Sequence, residues 1–140
     1  MLTFKVKALT ENCAPVTEKI IGLLEENGFD SPALHMKIEL VVEEIFVNIA
    51  SYAYKDTEGG DALVEADISG DPAALTIAFT DSGVPFDPLA KEDPDVTLSA
   101  DERGIGGLGI YLVKKNMDDV KYERCGNKNV LTVKKVLGSK

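Results

Sequence analysis

The chain has 140 residues, 44% of them hydrophobic and 28% charged, which suits one domain with a single buried core. Asp and Glu number 24 against 15 Lys and Arg, and the net charge of −9 argues against a protein that binds the phosphate backbone of nucleic acid. No stretch is apolar enough to span a membrane, and the N-terminus has no signal-peptide pattern, so we expect one cytoplasmic domain over residues 1–140. Cys13 and Cys125 lack metal-site spacing and are expected to be reduced thiols.

The first part of the chain predicts one strand followed by two helices. Residues 2–9 alternate between apolar and polar side chains, as a half-buried strand does. Residues 14–27 place apolar side chains at helical spacing, and Gly28 follows as a helix-ending signal. A Ser-Pro pair at 31–32 supplies an N-cap and first residue for a long helix that runs to about Tyr54. The apolar stripe of this helix consists of Leu34, Ile38, Val41, Val42, Ile45, Ile49 and Ala53.

The remainder predicts two pairs of strands, separated by a long loop and a third helix. In order, the elements are strands over 62–69 and 74–80, a loop over 81–106, a helix over 107–117, and strands over 119–124 and 129–137. A loop of that length inside a compact domain is usually functional or disordered. The element order predicts an α+β fold, a two-layer α/β sandwich in which a mostly antiparallel mixed sheet carries the helices on one face.

Glu44 and Asn48 lie at the edge of the apolar stripe of the long helix, one turn apart on the same flank. In one interpretation Asn48 hydrogen-bonds a neighbouring loop and Glu44 is simply solvated. In the other, an acid and an amide stand at the mouth of a pocket, where the carboxylate acts as a general base and the amide oxygen binds Mg²⁺. The helix alone leaves both interpretations open.

Asp81 ends an apolar strand, and Gly83 allows a sharp turn directly after it. Asp, Ser, Gly and Pro are common in turns for conformational reasons alone, so the segment is also compatible with simple turn chemistry. The functional interpretation is a carboxylate that accepts a hydrogen bond from an exocyclic amine such as that of adenine. Gly83 would then let a flat ring approach the main chain.

A glycine-rich segment precedes the third helix, with Arg103 followed by Gly104, Gly106, Gly107 and Gly109. Its Gly-x-Gly-x-x-Gly spacing matches the dinucleotide fingerprint, but no buried strand precedes it and only 31 residues follow, too few for a doubly wound sheet. A Walker phosphate loop is excluded because its lysine and hydroxyl residue are missing. The segment is either a flexible loop or an anion site, in which backbone N–H groups and a helix N-terminus meet phosphate.

These motifs occur in a fixed order: Glu-x-x-x-Asn on a helix, Asp-x-Gly at a strand end, and a glycine-rich loop leading into a helix. The ordered set resembles the GHKL ATPase superfamily, which has the Bergerat nucleotide-binding fold. Within that superfamily, the length of the chain and its N-terminal strand most resemble those of anti-sigma-factor serine/threonine kinases of the RsbW and SpoIIAB type. The resemblance covers nearly the whole chain. It implies an α/β sandwich that binds ATP or ADP with Mg²⁺ between the long helix and a lid.

The resemblance also implies roles for individual residues. Glu44 corresponds to the catalytic base and Asn48 to the Mg²⁺ ligand at the nucleotide. Asp81 accepts from the adenine amino group, and Gly83 lies beneath the ring. The phosphate contacts are Arg103, Gly104, Gly106, Gly107 and Gly109, with a lid over about 87–106.

The implied function is an ATP-dependent serine/threonine protein kinase that acts as an anti-sigma factor. Its partners would be a small anti-sigma-factor antagonist, which it phosphorylates, and a sigma factor, which it sequesters. The resemblance further implies a homodimer, while the net charge and the lack of a long apolar stretch predict no direct contact with nucleic acid or membrane. The alternative is a non-catalytic ATP/ADP-gated binding module in the same kind of partner-switching pathway.

The chain departs from the family pattern at three places. Tyr52-Ala53 stand where the family often has His-Gly, and Val84-Pro85 follow Gly83 where a further glycine is common. Residues 127–129, with the sequence Asn-Lys-Asn, replace a late Gly-Thr that helps hold adenine or phosphate.

Overall fold

This computed structural model describes residues 1–53, 60–85 and 107–138, except for the side chains at 52, 53 and 107–109. The described residues form five strands and three α-helices. The elements are β1 (Leu2–Lys7), α1 (Cys13–Glu26), α2 (Pro32–Asn48), β2 (Asp61–Ser69), β3 (Ala73–Asp81), α3 (Gly107–Asn116), β4 (Asp119–Cys125) and β5 (Lys128–Gly138). A short 3-10 turn, Thr10–Asn12, precedes α1. The predicted elements are therefore present in the predicted order.

The strands form one sheet in the order β1-β2-β3-β5-β4, with β3 in the centre. Each neighbouring pair is antiparallel, which confirms the predicted fold class and makes the described sheet wholly antiparallel. Gly70, in the turn between β2 and β3, has φ of 93°, a conformation that costs a glycine little. Asp81 at the end of β3 is paired with Asn129 near the start of β5, so these two side chains lie beside each other.

A Schellman motif ends α1 where the sequence predicts. Gly28 has φ of 86°, and its N–H donates to the carbonyl oxygen of Glu25 at 3.0 Å. The N–H of Phe29 donates to the carbonyl oxygen of Leu24 at 2.9 Å. These two bonds satisfy carbonyl groups that the last helical turn leaves without a partner.

The second helix begins at the predicted cap but changes character near its end. The hydroxyl oxygen of Ser31 accepts from the N–H of Leu34 at 3.4 Å. The α-helix ends at Asn48 and continues as a π-helical turn over Ile49–Ala53. The prediction of one α-helix to about residue 54 is thus wrong beyond Asn48, because apolar periodicity does not reveal a turn with i→i+5 hydrogen bonds. Residue 54 itself lies outside the described residues.

The core lies between the helices and one face of the sheet, as the two-layer prediction requires. The largest fully buried side chains are Val16, Ile20, Leu24, Ile38, Val41, Val42, Ile45, Phe46, Val64, Leu75, Ile77 and Phe79. Phe46 is buried although it lies outside the predicted stripe, because α2 packs against both α1 and α3 and so buries a wider face. Cys13 and Cys125 are free thiols, as predicted. No described helix is both long and apolar enough to cross a membrane.

Candidate functional site

The carboxyl group of Asp81 is held in one orientation at the end of the central strand. Asp81 is only 6% exposed and lies on the core side of the sheet. The N–H of Gly83 donates to Asp81 Oδ1 at 2.9 Å, and Asn129 Nδ2 donates to the same oxygen at 2.9 Å. Asp81 Oδ2 accepts no hydrogen bond from another described residue. Among the described residues, donors therefore occupy one carboxylate oxygen and leave the other available to accept from a ligand.

Asn129 is the centre of this hydrogen-bond network. It is 5% exposed, and its Nδ2 also donates to the carbonyl oxygen of Val84 at 2.8 Å. Its Oδ1 accepts from the hydroxyl of Tyr122 and, at 3.1 Å, from Nη1 of Arg124. Both donor hydrogens and both acceptor lone pairs of the amide are thus used, as a buried polar side chain requires.

Arg124 joins the same network to the turn that follows β3. Its Nη1 donates to the carbonyl oxygen of Gly83 at 2.9 Å, and its Nε donates to the carbonyl oxygen of Gly126 at 3.2 Å. Gly83 is itself buried. The turn is therefore fixed from one side by Asp81 and from the other by β4 and β5.

Sequence reasoning did not find the roles of Asn129, Tyr122 and Arg124. One signal was present at Asn129, since it occupies a core-facing position of β5 in alternation with the buried residues Leu131 and Val133. A polar side chain at such a position needs a partner. The partner, Asp81, lies 48 residues earlier, and nothing in the local sequence indicates it.

Glu44 and Asn48 lie one helical turn apart on α2, as predicted, and both are half-buried beside the buried residues Ile45 and Ile49. Neither side chain makes a hydrogen bond or ion pair with another residue that the structure describes. Burial raises the pKa of the Glu44 carboxyl group, and the nearby negative charge of Glu43 raises it further. A carboxyl group with a raised pKa is a better proton acceptor once ionised, which suits a general base.

The residues around Asn48 fit Mg²⁺ bound mainly through a nucleotide. Within the described ranges, no group of three or more His, Cys, Asp or Glu residues could hold a metal ion by itself. Mg²⁺ in phosphate sites typically takes one or two protein oxygens and completes its shell with phosphate oxygens and water. The amide oxygen of Asn48, half-buried and without a described partner, is a suitable single ligand.

The glycine-rich segment is only partly described. Gly107 is the first residue of α3 and Gly109 lies in its first turn, where backbone N–H groups lack helical partners and can bind an anion. Helix α3 packs against α2, which carries Glu44 and Asn48. The glycine-rich helix start and these two residues therefore lie on neighbouring helices. Arg103, Gly104, Gly106 and the predicted lid at 87–106 lie outside the described residues.

Residues 6–135 match the family model of the histidine kinase-like ATPase domain. The chain belongs to this family. The match covers every described α-helix and all or part of every strand, and it confirms the resemblance to GHKL ATPases found in the sequence. A solved histidine kinase domain, from the blue-light-activated histidine kinase EL346 of Erythrobacter litoralis, supports the fold of this ATPase domain. It aligns with a TM-score of 0.56 at 15% identity, over 94% of this chain and 62% of that one.

Curated relatives of this ATPase domain are named as serine-protein kinases. RsbW of Listeria monocytogenes is 30% identical over 124 residues, which cover 86% of this chain and 77% of that protein. RsbW of Bacillus subtilis is 23% identical over 141 residues, covering 99% and 88%. The serine/threonine-protein kinase BtrW of Bordetella bronchiseptica is 27% identical over 103 residues, covering 74% and 71%. Within the superfamily, the chain is thus of the RsbW type.

Proposed function

We propose that this chain is an ATP-dependent serine/threonine protein kinase and anti-sigma factor, a single domain over residues 1–140. It phosphorylates a small anti-sigma-factor antagonist and sequesters a sigma factor. The observation that carries the proposal is the fixed Asp81 carboxylate with one oxygen available, in a chain whose relatives are named serine-protein kinases.

The nucleotide part of the proposal assigns each motif to one part of ATP or ADP. Asp81 Oδ2 accepts from the adenine amino group, and Gly83, which has no Cβ, lets the ring approach the main chain. Asn48 holds Mg²⁺ through its amide oxygen. The phosphates meet backbone N–H groups at Gly104, Gly106, Gly107 and Gly109 and the side chain of Arg103, beneath a lid over 87–106. When bound, MgATP supplies the transferable phosphoryl group and the positive charge that neutralises the phosphates.

Glu44 is the catalytic base of the proposed reaction. Its carboxylate would accept the proton of a serine or threonine hydroxyl of the antagonist as that oxygen bonds to the γ-phosphorus of ATP, whose bond to the β–γ bridging oxygen breaks and releases ADP. The raised pKa of Glu44 makes its ionised form a stronger base than an exposed glutamate. Asn48, one turn further along α2, keeps the metal on the same flank of the helix as the base.

The proposed partners follow from the same family assignment. The net charge of −9 favours docking on a basic surface of a sigma factor and disfavours direct binding to nucleic acid. We further propose a cytoplasmic homodimer that does not bind membranes.

The nucleotide assignment is tested by thermal unfolding with millimolar ADP or ATP, with and without Mg²⁺. Nucleotide at 100 times its dissociation constant should stabilise the folded chain by about 2.7 kcal/mol. Asn48→Ala should abolish the Mg²⁺-dependent part of this gain. Asn27→Ala is the matched control, because Asn27 caps α1 through a bond to Leu23 and has no proposed contact with nucleotide.

No stabilisation of the parent by either nucleotide would overturn the nucleotide assignment, and an unchanged Mg²⁺-dependent gain in Asn48→Ala would overturn the role of Asn48. Kinase activity is tested separately, with labelled ATP and an antagonist protein from the same organism. Nucleotide binding without transfer of label would favour the ATP/ADP-gated binding module instead.

A further inference from the structure

We infer that Asn129 is a positioning residue that sets the nucleobase specificity of the site. It holds Asp81 as a hydrogen-bond acceptor with Oδ2 facing the base, so that a 6-amino purine is accepted and a 6-oxo purine is rejected. This inference rests on the proposed nucleotide-binding function and adds to it a residue on β5, at the place where the chain departs from the Gly-Thr of its family.

The orientation of the Asn129 amide is fixed by groups that can act in one direction only. Arg124 can only donate, and its Nη1 lies 3.1 Å from Asn129 Oδ1. The carbonyl oxygen of Val84 can only accept, and it lies 2.8 Å from Asn129 Nδ2. The amide therefore cannot flip without placing donor against donor and acceptor against acceptor. Asn129 Nδ2 must face Asp81, and Asp81 must accept.

A second donor to Asp81 binds the same oxygen as Asn129 and so leaves Oδ2 as the oxygen that can accept from a ligand. The N–H of Gly83 also binds Asp81 Oδ1, so both protein donors converge on one oxygen at 2.9 Å. Oδ2 has no hydrogen-bond donor within the described ranges and keeps its lone pairs for a ligand. Because Asp81 is only 6% exposed, an unmatched ligand atom there is poorly solvated by water.

This arrangement distinguishes purines by the group at their sixth position. Adenine has an amino group that donates to Asp81 Oδ2, whereas hypoxanthine has an oxo group whose lone pairs oppose those of the carboxylate. An unpaired or opposed polar group in a buried site typically lowers affinity by about 10- to 100-fold. Without Asn129, Gly83 is the one described residue that still donates to the carboxyl group of Asp81, which can then turn away from the base.

The experiment compares binding of ADP and inosine 5′-diphosphate by calorimetry in the presence of Mg²⁺. The parent should prefer ADP by at least about 10-fold. Asn129→Leu has a similar size but no donor, and it should reduce the ratio of the two affinities by about 10-fold or more. A merely structural role would weaken both nucleotides equally and leave the ratio unchanged.

Asn27→Leu is the matched control, since it removes an amide that donates to the backbone carbonyl oxygen of Leu23 at 2.8 Å at the end of α1. This variant should keep the parental ratio. If Asn129→Leu does not fold, Asn129→Ala leaves room for water and has the same expected effect. A parent that binds ADP without preference, or an Asn129 variant that keeps the parental ratio, would overturn the inference. A parent that binds neither nucleotide would instead overturn the proposed function.

Discussion

Glu43 and Glu44 are consecutive on α2 and have different surroundings. Glu43 is exposed, whereas Glu44 is half-buried beside the core. Desolvation is the main cause of the raised pKa of Glu44, and repulsion by Glu43 adds to it. Because its pKa is higher in the folded chain than in an unfolded one, Glu44 favours folding at low pH, and this contribution is lost as the pH rises through the folded-state pKa. At neutral pH the ionised carboxylate therefore lowers the stability of the fold.

Glu44→Gln should separate the catalytic and structural effects of this carboxylate. Phosphotransfer to the antagonist should fall by about 10²- to 10⁴-fold, the usual contribution of a general base, while ADP affinity is kept. The unfolding temperature at neutral pH should rise, because a desolvated charge is removed. This gain should disappear on acidification below the pKa of an unfolded glutamate, about 4.3. The measurements are a labelled-phosphate assay and thermal unfolding at several pH values.

Glu39→Gln is the control, since Glu39 is an exposed glutamate of the same helix. It should leave both the transfer rate and the pH dependence of stability close to those of the parent. Undiminished transfer by Glu44→Gln would remove Glu44 from the role of base.

Two glycines, one within helix α1 and one directly after it, have different roles. Gly28 follows the helix in a left-handed backbone conformation, with φ of 86°, which L-residues that have a side chain rarely adopt. Gly22 lies within the helix, and a Cβ added there would meet nothing within 4 Å. The same substitution is therefore expected to have opposite effects at the two positions.

Gly28→Ala should destabilise the fold by about 1–2 kcal/mol, the cost of a left-handed non-glycine residue. Gly22→Ala should stabilise it by about 0.5–1 kcal/mol, because alanine loses less conformational entropy in a helix. Urea unfolding of both variants measures the difference. Equal effects at the two sites would contradict the assignment of Gly28 as the cap.

The helices and strands were predictable because their signals are local. The end of α1 before Gly28 and the start of α2 after Ser31 follow from backbone groups that need partners within a few residues. The burial of Phe46 was not predictable, since it depends on α2 lying between two other helices. The bond between Asn129 and Asp81 was missed for the same reason, because the antiparallel pairing of β3 with β5 brings these two residues together.

The described elements share one core, and β3 is the central strand of the sheet that covers one side of it. Ile77 and its neighbour Thr76 face opposite sides of the sheet, so Ile77 is fully buried and Thr76 is half-buried. Because helices and sheet are buried against each other in one cluster, we expect them to unfold together.

Ile77→Ala should lower the free energy of unfolding by about 2–5 kcal/mol through lost apolar contacts and a cavity. Thr76→Ala, the control, should lower it by at most about 1 kcal/mol, the span of β-strand propensities. The chain has no Trp, so circular dichroism and tyrosine fluorescence are the suitable probes in urea. Different midpoints from the two probes would show that the sheet and helices do not form one cooperative unit.

The pairing of Asp81 with Asn129 also makes the length of the β4–β5 turn a functional constraint. Side chains of a strand alternate between its two faces, so adding or deleting one residue at Gly126 or Asn127 would present Lys128 or Val130 to the carboxylate. Such a slip would turn the amide to the opposite side of the sheet together with Leu131 and Val133, so the indel would cost core packing as well as the bond to Asp81. Natural or engineered homologues can therefore vary the residue types of this turn more freely than their number.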